Sequence, residues 1–315
     1  MTQTTAFRGI FPPMITPLRP DFSLDIGHTE RLIEYLIDGG VHGIFILGTT
    51  GEFAGLSSAV KKDLIRITCH QVNGRVPILV GVTDCSFTES VELAAIAHRS
   101  GAEAVVAAPP FYMNIGQEEL INYYQKLADI VELPLFLYDM PSHVKISIEV
   151  ETVVKLSKHP NIIGIKDSSG KIENFQALCE AFKQQPEFKI FVGPEEILAE
   201  TLKLGGDGGV TGGANLFPKL YVALYEAFQK KEHDTVKKLQ ETILFLSTNL
   251  YQQGTYQSSY LKGLKAAMSI EGLCEENFAP PIFPHLPSEK SILSSKFLKV
   301  KERVRQSFNS KNNLP

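Results

Sequence analysis

A chain of 315 residues carrying a formal net charge of -4 has room for one large α/β domain with an appendage or for two ordinary domains, and its charge argues against a nucleic-acid footprint or a basic membrane patch. With 43% hydrophobic and 21% charged residues the composition is that of an ordinary globular protein, which excludes disordered and fibrous classes. Cys69, Cys85, Cys179 and Cys274 lie far apart with no C-x-x-C pair, against a zinc site, a redox motif or a disulfide framework, so reduced thiols in a cytoplasmic protein are expected. The N-terminal MTQTTAFRGIFPPM lacks a long apolar core, and no later run approaches the length of a membrane span.

Eight short apolar runs, each bounded by Gly, Pro, Asp, Ser or Thr, read as strands: Gly9 to Ile15, Gly43 to Gly48, Ile78 to Val82, Ala104 to Ala108, Leu133 to Tyr138, Ile162 to Lys166, Lys189 to Gly193 and Gly208 to Thr211. Between them, His28 to Asp38, Ser58 to Val72, Thr88 to Ser100, Gln117 to Val131, Ile148 to Lys158, Ile172 to Lys183 and Pro194 to Leu204 carry apolar residues at helical spacing, and Pro218 opens an eighth helix running to Lys231. Alternation of this kind predicts an α/β fold, a (β/α)8 TIM barrel over residues 1–231, with a doubly wound open sheet as the alternative. The barrel is preferred because chemically suggestive residues follow several different strands. Beyond Glu232 the strand pattern ceases. Glu232 to Gln253, Gln257 to Glu271 and Glu289 to Ser307 read as helices around a proline-rich Phe278 to Pro287 loop, giving a C-terminal helical subdomain over residues 232–315 with a frayed polar tail, NSKNNLP.

The sixth strand, Ile162 to Ile165, ends at Lys166, followed by Asp167, Ser168, Ser169 and Gly170. A lysine where a buried strand stops either reaches water or offers its free amine as a Schiff-base nucleophile. After the second strand comes Gly48-Thr49-Thr50-Gly51-Glu52-Phe53, where two hydroxyls beside backbone N–H groups can cradle a carboxylate, although an ordinary glycine turn with a threonine cap reads equally well. A Walker loop is excluded by the missing G-K-[ST]. The fourth strand ends in Pro109-Pro110-Phe111-Tyr112 and the fifth in Tyr138-Asp139-Met140-Pro141-Ser142-His143. A tyrosine at a strand's C-terminal end can pass a proton to a bound intermediate, whereas Tyr112 can equally well be an aromatic that packs. Glycines 205–213 near the mouth admit a ligand, a phosphate less readily for want of a nearby basic residue. The remaining histidines show no metal-ligand spacing, so no metal is expected.

With G-T-T-G-E at Gly48 to Glu52, Y-x-x-P at Tyr138 to Pro141 and an apolar strand ending in Lys166-Asp167, in that order and spacing, the chain resembles the dihydrodipicolinate synthase / N-acetylneuraminate lyase family of class I aldolases. The resemblance implies that Lys166 forms an imine with pyruvate or another 2-oxo acid, that Tyr138 shuttles protons, and that Thr49 and Thr50 hold the carboxylate and extend the relay. It further implies that Tyr112 completes the relay in a neighbouring subunit and that the backbone at Gly193 and Val210 lines the pyruvate pocket. A homo-oligomer, dimer or tetramer, is implied, and no cofactor. His143 stands where the synthases carry an arginine for the second substrate's carboxylate, and Phe53 stands where they carry a small polar residue. These departures favour a lyase acting on a 2-oxo-3-deoxy sugar acid, with condensation of pyruvate and aspartate semialdehyde to 4-hydroxy-tetrahydrodipicolinate as the second reading and a non-catalytic 2-oxo acid sensor as the third.

Overall fold

The computed structural model describes residues 7–309 apart from Gln253 and Thr255, so the expected end of the ninth helix at Gln253 and all of the expected frayed tail beyond Asn309 fall outside the described residues. Strands and helices alternate along the chain. β1 (Gly9–Ile10), β2 (Ile44–Ile46), β3 (Ile78–Gly81), β4 (Ala104–Ala107), β5 (Leu135–Asp139), β6 (Ile162–Asp167), β7 (Lys189–Val192) and β8 (Gly208–Gly209) form one parallel sheet in which β1 lies next to β8. Around it run α1 (Ile26–Asp38), α2 (Ser58–Val72), α3 (Phe87–Ser100), α4 (Gln117–Ile130), α5 (Val150–Leu156), α6 (Ile172–Ala181), α7 (Leu198–Lys203) and α8 (Pro218–Gln229). The last three helices are α9 (His233–Leu250), α10 (Ser259–Ile270) and α11 (Pro287–Asn309).

The sheet curls into a closed barrel. His42 N–H donates to Ile10 O at 2.9 Å, Phe45 N–H to Pro12 O at 3.0 Å and Met14 N–H to Phe45 O at 2.8 Å, joining the segment after β1 to β2. β1 itself is only two residues long, not the expected run to Ile15, because Pro12 and Pro13 have no N–H to give to a ladder. The segment expected to be one helix from Pro194 is divided. A 3-10 turn, Glu195–Ile197, precedes α7, because the Glu195 side chain turns into the core and accepts hydrogen bonds there. Helix starts follow their caps: Asp25, Ser57 and Ser86 side chains accept from the N–H of His28, Val60 and Glu89.

Alternate side chains along each strand point to opposite faces. The outward set packs on the helices in a core that continues without a break into Leu246, Leu250, Leu264 and Phe297 of the last three helices. The inward set is aromatic: Phe7, Phe11, Phe45, Phe136 and Phe191 fill the barrel with Leu79, Val106 and Val210. Their rings meet edge to face, Phe7 on Phe136 at 5.4 Å, Phe11 on Phe191 at 5.3 Å and Phe136 on Phe191 at 6.0 Å between centroids. So many large rings need space on neighbouring strands. Gly164 supplies it, since a Cβ there would come within 2.5 Å of both the Phe136 ring and Lys189 O.

The expected outcome of Gly164→Ala is therefore a loss of about 1–3 kcal/mol in unfolding free energy from overpacking, measured by urea titration with an unchanged slope. An unaltered midpoint would show that the aromatic plug yields where the packing says it is tight.

Candidate active site

On top of the aromatic plug stands Lys166. Its neighbours on the ladder are Tyr138 of β5 and Phe191 of β7, and its side chain is almost completely buried. Nζ lies 4.1 Å from the centroid of the Tyr138 ring and 5.1 Å from that of Phe45. No carboxylate among the described residues pairs with it within 4.0 Å. Below, the strand is gripped from both sides: Ser168 N–H donates to Asp139 O and Gly193 N–H to Asp167 O, each at 2.8 Å. The Asp139 and Asp167 side chains, paired across β5 and β6, tie down the loops that follow. Asp139 accepts from Ile148 N–H and Ser147 Oγ, and Asp167 from Ser169 N–H and Asn174 Nδ2. Burial raises both carboxyls, Asp139 to about 6, with the facing Asp167 adding to the effect.

The loop after β2 brings the two threonines to the lysine. Leu47 and Glu52 hold left-handed backbone angles, φ 57° and 59°, and Thr16 Oγ1 donates to Gly51 O at 2.7 Å, so the loop is held in one shape. Thr49 Oγ1 lies 3.1 Å from the Tyr138 hydroxyl. Thr50 Oγ1 lies 3.1 Å from the Tyr260 hydroxyl of α10. Glu52, next along, is buried and makes an ion pair with Lys265 of the same helix at 2.6 Å.

Above these groups opens a cavity of about 600 Å³ between the barrel mouth and the C-terminal helices. Phe53, Phe111, Met140 and Val144 wall it from the barrel side; Gln257, Ser258, Tyr260 and residues 279–282 roof it. His143 is on its rim, within 2.9 Å of Ser142 Oγ. The residue is exposed at the rim, yet desolvation against the wall, and secondarily the Lys166 charge, lower its pKa and so favour the uncharged ring.

Lys166, Tyr138 and Thr49 thus come together as the motifs suggest, Thr50 follows with its hydroxyl on Tyr260, and Val210 joins the inner cluster of Tyr138. Gly193 sits beside them with Ser168 where its Cβ would be, the Ser168 Oγ falling 2.0 Å from an ideal Cβ. Tyr112 does not join. It is exposed, and Lys145 Nζ fastens it by donating to its carbonyl at 2.7 Å and lying 5.5 Å from its ring centroid. The expectation that Tyr112 serves a neighbouring subunit is compatible with this outward position. Three functional neighbours escape a sequence reading: Tyr260, Lys265 and Glu195. No local motif marks them, and their partners lie 210 and 213 residues away for the first two. Among the described residues no group of three or more His, Cys, Asp or Glu side chains could hold a metal ion, all four cysteines are free, and no helix is long and apolar enough to cross a membrane.

Comparison with known proteins settles the family. The model of the dihydrodipicolinate synthetase family matches residues 6–299. The chain belongs to this family of class I Schiff-base aldolases. A probable 2-dehydro-3-deoxy-D-pentonate aldolase of Escherichia coli K12 is 34% identical over 279 residues, 88% of this chain and 91% of the relative. Among solved structures, dihydrodipicolinate synthase of Bacteroides thetaiotaomicron has 45% identity and a TM-score of 0.90, covering 93% of this chain and 98% of its own. An Escherichia coli K12 prophage protein of the dihydrodipicolinic acid synthase family, solved with pyruvate, has 30% identity and a TM-score of 0.89, covering 94% and 99%. At the level shared by the family, the chemistry is that of a lyase working on 2-oxo acids through a Schiff base.

The buried carboxyl beside this family site gives a pH test. Burial, reinforced by Glu196, raises Glu195 to about 7 against the opposing hydrogen bonds from Tyr221, Gly213 and Tyr251. Between its ordinary value of 4.5 and about 7 the folded chain holds a proton that the unfolded chain has lost, so this group's contribution to stability falls as pH rises through that window and is constant above it. In Glu195→Gln the amide oxygen takes the Gly213 N–H and the NH₂ donates to a tyrosine oxygen. Relative to this variant, the native chain is expected to lose stability as pH rises from 4.5 to about 7 in paired denaturant titrations; parallel pH profiles would count against the assignment.

Proposed function

We propose that this protein is a class I aldolase or dehydratase acting on a 2-oxo-3-deoxy sugar acid, with Lys166 as the Schiff-base nucleophile. The observation that carries the reading is the placement of Lys166 Nζ at the barrel mouth, 4.1 Å from the Tyr138 ring, with the Tyr138 hydroxyl 3.1 Å from Thr49.

Lys166 attacks the keto carbon of the 2-oxo acid, water leaves, and the protonated imine draws electrons from the neighbouring bonds. In the aldolase direction Tyr138, through Thr49, removes the C4 hydroxyl proton, the C3–C4 bond breaks, and its electron pair forms an enamine. Protonation at C3 and hydrolysis release pyruvate. The imine supplies the electron sink, so the scheme calls for no further cofactor. The faces of Tyr138 and Phe45 are placed to stabilise the iminium cation as they would an ammonium. Thr49 and Thr50 hold the carboxylate, the backbone at Gly193 and Val210 borders it, and Tyr112 of a neighbouring subunit extends the relay in a homo-oligomer.

His143 supports a substrate whose aldehyde half bears no second carboxylate. A neutral imidazole has neither the charge nor the forked donors that grip a carboxylate. Lys145 does not substitute for it, being engaged with Tyr112. The relative named for a 2-dehydro-3-deoxy-pentonate aldolase agrees with this reading. The second reading, condensation of pyruvate with aspartate semialdehyde, is favoured by the name of the 45%-identical Bacteroides structure.

Borohydride added with pyruvate is expected to fix an adduct on Lys166, located by peptide mass mapping, and Lys166→Ala to lose both adduct and turnover. An adduct on another lysine would refute the mechanism. Tyr138→Phe is expected to lower kcat by about 10²- to 10⁴-fold with pyruvate binding retained. A change confined to KM would make Tyr138 a binding residue only. Against a panel of substrates, cleavage or dehydration of 2-oxo-3-deoxy sugar acids is expected to exceed condensation with aspartate semialdehyde, and the reverse order would establish the second reading.

A further inference from the structure

Each of the two consecutive threonines faces a tyrosine, from opposite parts of the molecule. Thr49 meets Tyr138 on the barrel; Thr50 meets Tyr260, delivered by the first turn of α10. The phenol of Tyr260 lies where a side chain at Gly212 would be, an ideal Cβ there falling 1.7 Å from its oxygen. Glycine at 212 is what admits it. Its ring packs edge to face on Tyr251 at 4.8 Å, and the Tyr251 hydroxyl donates to Glu195, which also accepts from Tyr221 and Gly213. Tyr260 is therefore held from behind, and its front lines the 600 Å³ cavity together with Thr49 and Tyr138.

Stapling the helix to the barrel does not require this contact. The Glu52–Lys265 pair at 2.6 Å, with Lys265 also donating to Thr16 O and Ala279 N–H donating to Glu52, already joins the same loop to the same region. General-base work is equally unsuited to Tyr260, since burial and the nearby Glu195 raise its pKa and keep the phenol protonated. A phenol is the stronger donor of the two hydroxyls. One hydroxyl proton is spent in the Tyr260–Thr50 contact, and with the phenol as its donor the Thr50 proton is the one left free for a further acceptor.

We propose that Tyr260 is a positioning residue for 2-oxo acid binding: through its hydroxyl it aims the Thr50 O–H at the substrate carboxylate. The assignment rests on the Schiff-base reading of Lys166 and the carboxylate role of Thr50. It makes the C-terminal helices part of the binding site for the reacting half of the substrate, besides roofing the other half.

The test is borohydride trapping at Lys166 over a pyruvate titration, on native protein, Tyr260→Phe, Thr50→Val and the double variant, with melting curves for each. Tyr260→Phe keeps the ring on Gly212 and Tyr251. Its half-saturating pyruvate concentration is expected to rise about three- to tenfold, with maximal adduct unchanged and the melting temperature within about 3 °C of native. In the Thr50→Val background the same change is expected to have no further effect, because no hydroxyl remains to be aimed. An unchanged half-saturation in Tyr260→Phe, or an equal rise in both backgrounds, overturns the assignment while leaving Lys166 as the nucleophile. Failure of native protein to trap pyruvate at Lys166 at any concentration overturns the Schiff-base reading and this assignment with it.

Discussion

The ion pair between Glu52 and Lys265 is the contact on which the geometry above the barrel depends. Both side chains are out of water, so each charge is tolerable only because the other, a carbonyl and a backbone N–H complete its coordination. Removing one partner of such a pair costs on the order of 3–5 kcal/mol, since the survivor is left buried and unpaired. Glu52 is two residues beyond Thr50, in a left-handed backbone conformation that a glutamate adopts only when held there. The pair therefore fixes, in one stroke, the shape of the threonine loop and the seat of α10 above it. A buried charge pair is seldom a net source of stability against an apolar replacement; what it confers here is a single register between two segments 213 residues apart.

Beneath that clamp the barrel contributes rigidity of a different kind. A floor of interlocked phenylalanine rings leaves Lys166 approach from the mouth alone, and places it against aromatic faces rather than carboxylates. The ring faces suit the cation that forms when an amine there adds to a carbonyl carbon and loses water. Asp139 and Asp167 hold the loops through neutral donors, and opposite charges meet lower down, where Lys189 bonds Pro186 O and Asp207 with Arg8 on the same carboxylate.

Much of this was legible in the sequence, because barrel strands advertise themselves. Each is short, apolar and bounded by turn residues, and the residues that follow it face the mouth; that rule put Lys166, Tyr138 and the two threonines at strand ends, and the family resemblance supplied their roles. Strand lengths were overread where backbone chemistry intervenes, as at Pro12 and Pro13, and the helix expected from Pro194 broke into a 3-10 turn because Glu195 has partners that a linear reading cannot see. Tyr260 was missed for the same reason. Periodicity places it in an amphipathic helix, where an aromatic is most simply a packing residue, and only the fold brings it to Thr50 and to the gap left by Gly212. Tyr112 was marked by its motif, but its exposure in the single chain is a property of the surface, not of the run Pro109-Pro110-Phe111-Tyr112.

The cavity has two owners. Its barrel side comes from Tyr138 of β5 and the loops that follow β2, β4 and β5, anchored by the closed barrel, whereas its roof comes from Gln257, Ser258, Tyr260, Leu261 and residues 279–282, on segments that no strand ladder constrains. Within the roof, Tyr260 and Ala279 reach down to Thr50 and Glu52, so change at these two is felt in the threonine loop, whereas Pro281 and Ile282 make no such hydrogen bond. Descent with a fixed reaction and a drifting diet is the history such a partition permits, and Pro281 and Ile282 are where a library of variants aimed at a new aldehyde partner would leave the imine chemistry intact.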